Sequence, residues 1–164
     1  MDIDIQVLDD QWAKSFKNLD QIIETSVKAA LSEFTLPLGG PMEVSVQCAN
    51  DNHIQALNND YREKDKPTNV LSFPGLDWKT PGKVLETKLF EGQEALLGDI
   101  VLSIETIISE AKEQNKKPDD HLTHLTIHSV LHLLGFDHVD DDEAEVMEHL
   151  EITIMKKLGL SNPY

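Results

Sequence analysis

A chain of 164 residues, 40% hydrophobic and 27% charged, suits one globular domain over residues 1–164 and excludes a largely disordered polymer. No apolar run approaches the ~20 residues of a membrane helix, and the acidic start (Met1, Asp2, Ile3, Asp4) resembles no secretory leader, so the chain is read as soluble and cytoplasmic with no membrane partner. A net charge of −16 opposes non-specific attraction to phosphate backbones. The charge is uneven, however. Residues 119–151 hold ten Asp or Glu and no Lys or Arg, whereas residues 60–90 hold six basic and five acidic side chains. An anionic substrate is expected to approach from the second region.

Ile3, Ile5 and Val7 alternate with polar residues and predict a first strand. Ile22, Ile23, Val27, Leu31 and Phe34 recur at helical spacing. Pro37, Gly39, Gly40 and Pro41 then break the chain, and Met42, Val44, Val46 and Cys48 alternate as a second strand. That alternation turns the single cysteine inward, as a buried structural thiol. Asn50 or Asp51 caps a helix carrying Ile54, Leu57 and Tyr61. A polar turn over residues 64–69 leads into a third strand (Val70, Leu71, Ser72, Phe73) stopped by Pro74 and Gly75. Residues 75–96 read as a long surface loop and residues 97–103 as the fourth strand. A helix follows through Ile107, Ile108 and Ala111 and ends before Pro118, and two more cover about residues 121–134 and 141–158. The sum is an α+β domain with a mixed sheet of about four strands packed against helices.

Five of the seven histidines lie between residues 121 and 138. His128 and His132 stand four apart on a predicted helix, so their imidazoles share one face about a turn from each other. Spacing of this kind is weak evidence alone. Gly135 then falls where the helix must stop, because glycine accepts a left-handed conformation, and the chain returns through Phe136 and Asp137 to present His138. Three imidazoles leave a fourth tetrahedral position open, the arrangement of a catalytic zinc site for one ion. Zinc lowers the pKa of bound water toward ~7 and polarises a bound oxygen. The plain alternative is three solvated or core-capping histidines. His124, four residues before His128, reads as a surface histidine or one that supports the ligands from behind. His121, His53 and His149 have no supporting spacing and read as surface residues.

The same spacing occurs in metzincin proteases, which carry Glu directly after the first histidine. Here that position is Ser129, which cannot serve as their carboxylate base. Asp137 either orients an imidazole or stabilises the turn. Asp140, Asp141, Asp142 and Glu143 read as cap and first-turn acids of the last helix.

Arg62 is the only arginine; every other strongly basic side chain is lysine. A planar, bidentate donor placed beside a turn suits a phosphate or carboxylate oxygen. A structural ion pair with Glu63 or Asp65, or a helix C-terminal charge, is the alternative. Lys64 and Lys66 read as solvated loop lysines that could also help place an anionic substrate.

Taken together, two segments resemble the YbeY family of bacterial metal-dependent endoribonucleases. One holds His128, Ser129, Leu131, His132, Leu133, Gly135, Phe136, Asp137 and His138. The other holds Tyr61, Arg62, Asp65, Pro67, Thr68, Asn69, Val70, Leu71, Ser72, Phe73 and Pro74. Leu97, Gly98, Asp99 and Ile100 and the acidic helix start also fit, so the resemblance spans about residues 40–158. It implies a zincin-like α+β fold, with His128, His132 and His138 as zinc ligands and Arg62 as the functional arginine. The implied activity is a single-strand-specific endoribonuclease in maturation of the small-subunit rRNA 3′ end and in ribosome quality control. Ser129 departs from the family's usual glycine. No aromatic platform for stacking bases is evident, so binding is expected to involve the small ribosomal subunit or a ribosome-associated protein. The general base stays open among metal-bound hydroxide, Asp137 and the RNA 2′-hydroxyl. A zinc hydrolase of peptides or amides, which would not need Arg62, and a non-enzymatic ribosome-associated factor are the alternatives.

Overall fold

The computed structural model describes residues 1–164. The alternating segments become strands β1 (Asp2–Val7) and β2 (Met42–Ala49), joined through helices α1 (Gln11–Ser15) and α2 (Leu19–Leu31). Helix α3 (Asp51–Arg62) then leads to β3 (Val70–Pro74), and β4 (Trp78–Thr80) and β5 (Val84–Leu85) form a small separate hairpin. Strand β6 (Ala95–Ser103) is followed by α4 (Ile104–Glu113), α5 (Pro118–Leu133) and α6 (Asp141–Lys157). The main sheet has the order β1-β2-β6-β3, with β1, β2 and β6 parallel and β3 antiparallel at the edge. The expected four-stranded mixed sheet is therefore present. No helix is long and apolar enough to cross a membrane.

Strand alternation divides the core. Val44, Val46, Cys48, Ile100 and Leu102 join α2 and α5 in the main cluster, while Leu71 and Val101 pack with Ala49 and Ile54 in a smaller one. Fully buried Ile23, Ile100, Ile127 and Leu131 each contribute about 1.5–3 kcal/mol through removal from water. Cys48 is fully buried as expected, and burial, aided by Asp20, pushes its thiol up to about 12, which leaves it inert.

Three local expectations change. Helix α1 is too short to show periodicity; it forms because Trp12 is fully buried and its indole Nε1 donates to Ala49 O at 2.8 Å. The expected loop over residues 75–96 contains the β4–β5 hairpin. It also ends early, because Ala95 and Leu96 already pair with Met42 and Glu43 ahead of a register shift. His121, expected at the surface, is 3% exposed and its Nε2 lies 3.0 Å from Glu110 Oε1. The reason is that α5 packs against α2, α4, α6 and the sheet, so that it has no fully solvated face. The sequence carried that signal: no Asp, Glu, Lys or Arg occurs from residue 121 to 136. His53 and His149 are exposed, as expected.

Candidate metal centre

Helical pitch places His128 and His132 on the side of α5 that faces β3 and the turn beyond the helix. The helix stops through backbone bonds from Gly135 N to His132 O (3.0 Å) and from Phe136 N to Leu131 O (3.1 Å). Gly135 has φ +93°, a conformation open to glycine and strained for other residues. Trp78 of β4 covers this turn: its Nε1 donates to Leu133 O at 2.9 Å, and a Cβ at position 135 would stand 2.8 Å from the Trp78 Cβ. Gly135→Ala is therefore expected to destabilise the fold by about 1–3 kcal/mol in denaturant unfolding, and to weaken metal uptake by displacing His138.

The turn brings back His138, whose ring centroid lies 5.1 Å from that of His132 and 5.6 Å from that of His128. One nitrogen from each of the three imidazoles falls within 4.8 Å of the others. His132 Nδ1 donates to Phe136 O at 2.9 Å, and His128 Nδ1 donates to Glu151 Oε1 at 3.1 Å. Both acceptors can only accept, so each ring keeps its proton on Nδ1 and turns the Nε2 lone pair toward the other. Those two Nε2 atoms stand 3.1 Å apart. Two bare lone pairs at that distance call for a cation between them, and two nitrogens bound to one tetrahedral zinc ion stand about 3.3 Å apart. The donor set fits a metal ion. Burial, followed by the nearby His128 and His138, holds His132 down at about 4, so its imidazole is neutral at physiological pH.

Glu151 of α6 was not singled out by its spacing. It is fully buried, and its carboxylate also accepts from His124 Nε2 at 2.6 Å and from the Tyr164 hydroxyl at 2.9 Å. Burial opposes its charge, but the bonds from His124 and His128 outweigh burial and hold the carboxyl down to about 2. His124 thus shares the Glu151 carboxylate with His128. A sequence signal did exist: Glu151 lies on the same stripe as buried Met147, Ile154 and Met155, where an acid is out of place.

Asp137 stabilises the turn, its Oδ1 accepting from the His138 amide at 2.8 Å. Asp140 caps α6 by accepting from Glu143 N at 2.8 Å. Ser129 is fully buried, with its hydroxyl bonded to that of Ser72 on β3; it ties α5 to the sheet edge and lines no part of the cleft.

The three histidines open into a cleft of about 730 Å³ whose opposite wall is β3 and the end of α3. Arg62 lines this cleft from the last turn of α3. It is exposed, and no carboxylate lies within ion-pair distance of it: Asp65 accepts instead from Gln55 Nε2 at 3.1 Å. Buried Asn58 fixes the turn that follows, donating from Nδ2 to Lys66 O at 2.9 Å. Lys64 and Lys66 are exposed and stand outside the cleft lining. Tyr61, 70% exposed, also lines the cleft, with its ring edge-on to Phe73 at 5.3 Å. An exposed aromatic therefore stands where the sequence showed no platform, because Phe73 comes to it from another element.

Fold and cleft together define an α+β protein in which three histidines that could hold one metal ion open into a cleft, as donors of a catalytic rather than a closed structural site do. Comparison with known proteins narrows that class. The family described as Endoribonuclease YbeY matches residues 5–159, and the chain belongs to that family. It is 42% identical to Endoribonuclease YbeY of Paramagnetospirillum magneticum, over 93% of this chain and 89% of the relative. It is 41% identical to that of Azorhizobium caulinodans (100% and 96%) and 46% identical to that of Colwellia psychrerythraea (84% and 82%). The solution structure of TM1509 from Thermotoga maritima shares the fold, with a TM-score of 0.52 at 23% identity, over 96% of this chain and 91% of that one.

Proposed function

We propose that the chain is a zinc-dependent endoribonuclease for single-stranded RNA. Its role is maturation of the small-subunit rRNA 3′ end and ribosome quality control in the cytoplasm, with His128, His132 and His138 as zinc ligands and Arg62 as the catalytic cation. The observation that carries this reading is Arg62: an unpaired guanidinium facing the same cleft as three converging imidazoles. Zinc, when bound, supplies a Lewis acid for the phosphodiester and acidifies water. Arg62 binds the phosphate and offsets the charge that develops on it. Tyr61 stacks an unpaired base at the cleft mouth, which favours single strands over duplex. Asp137 is the one carboxylate lining the cleft and is among the groups that could take a proton there. The net charge of −16 repels free RNA, so the reading includes a tether to the small ribosomal subunit, directly or through a ribosome-associated protein.

Metal analysis of purified protein, paired with cleavage of single- and double-stranded rRNA fragments, tests the reading. Stoichiometric zinc is expected, with cleavage confined to single-stranded segments, lost to a chelator and restored by zinc. Intact RNA in the presence of zinc-loaded protein would overturn it.

A further inference from the structure

The three histidines are not held alike. His132 rests on a backbone carbonyl, a neutral acceptor, and His138 is exposed with no bond to its ring. Only His128 leans on a charge, through Glu151 Oε1. That carboxylate sits in the apolar stripe of α6, fully buried, and no lysine or arginine pairs with it. A buried charge of this kind costs stability unless its lone pairs are filled and a positive charge answers it.

The lone pairs are filled. His124 and His128 share Oε1, and the Tyr164 hydroxyl occupies Oε2. The segment bearing Tyr164 is itself anchored, since the Lys116 ammonium donates to the carbonyl of neighbouring Pro163. The His124 ring also stands edge-on to the Tyr164 ring at 5.3 Å. Of the three groups that donate to Glu151, only His128 lines the cleft. The carboxylate therefore does two things: it satisfies the buried donors of His124 and Tyr164, and it fixes a ring that lines the cleft.

Resting on the metal-site reading above, we infer that Glu151 is a positioning residue for the metal centre. It fixes His128 with Nε2 aimed at the ion, while Tyr164 and His124 hold the carboxylate in place. A carboxylate behind a ligating imidazole makes it the stronger donor. Helix α6 then carries part of the metal affinity although it contributes no ligand.

The test uses metal-stripped full-length protein. Zinc affinity is measured by competition with a chromogenic chelator, and ligand geometry by the visible absorption bands of the cobalt(II)-loaded protein. Glu151→Gln keeps the shape and removes the charge. It is expected to fold with the circular dichroism of the wild type, to bind zinc about 10- to 100-fold more weakly, and to shift the cobalt bands. Tyr164→Phe is expected to lose affinity in the same direction by a smaller factor, and exposed His53→Ala to lose none. Glu151→Gln with wild-type affinity and wild-type cobalt bands overturns the inference. Should Glu151→Gln fail to fold, Tyr164→Phe decides: wild-type affinity there would leave Glu151 a purely structural residue. Wild-type protein that takes up no metal overturns the metal reading and this inference with it. Wild-type protein that binds zinc but leaves RNA intact overturns the nuclease reading alone.

Discussion

His132→Ala is expected to release the metal and to reduce RNA cleavage about a thousandfold, the equivalent of roughly 4 kcal/mol of transition-state stabilisation. His132 is the best defined of the three imidazoles: its Nδ1 proton is committed to Phe136 O, and burial keeps the ring neutral. Its removal leaves two imidazoles, too few to hold a divalent ion against water. The core should survive, because His132 is only part-buried while Leu131 and Leu133 on either side are fully buried. The comparison that matters is with chelator-treated wild type. Added zinc should restore cleavage to the stripped wild type and not to the variant. A His132→Ala protein that retains both metal and turnover would remove the basis of the proposed site.

Arg62→Ala is expected to lower cleavage by about 10²- to 10³-fold, the usual effect of losing one preorganised donor to developing charge. Stability should change by less than about 1 kcal/mol, since the side chain is exposed and contributes at most a favourable charge at the end of α3. Arg62→Lys should recover only part of the activity, because an ammonium restores the charge without the paired donors. Steady-state cleavage of a single-stranded RNA, with unfolding curves recorded in parallel, separates the two effects. Full turnover in Arg62→Ala would point instead to hydrolysis of a peptide or amide, which has no phosphate to neutralise. That alternative meets a second difficulty. Position 129, where a metzincin carries its base, holds a serine buried against Ser72.

Much of the site was legible because its geometry is local. The i, i+4 spacing of His128 and His132 needs only helical pitch, and the return of His138 needs only a glycine that accepts φ +93°. Cys48 and the strands around it were legible for the same reason, since alternation in a strand is a property of the chain itself. Short segments were not. The β4–β5 hairpin and helix α1 carry too few residues for a period to emerge, and they form because Trp78 and Trp12 find acceptors far along the chain. His121 was misplaced because one polar residue on a helix looks the same whether or not another helix covers it.

The three-histidine centre was thus determined by sequence alone: its ligands lie within eleven consecutive residues, and a helix followed by a glycine turn leaves them little freedom. Tertiary structure decided what surrounds it. Glu151 reaches His128, with Tyr164 bonded behind it, only because α6 packs on α5, and Arg62 shares the cleft only because β3 takes the sheet edge beside that helix. Contacts of that kind join residues far apart in the chain. Residue spacing does not encode them, because they come into being when separate elements bury their apolar faces against one another.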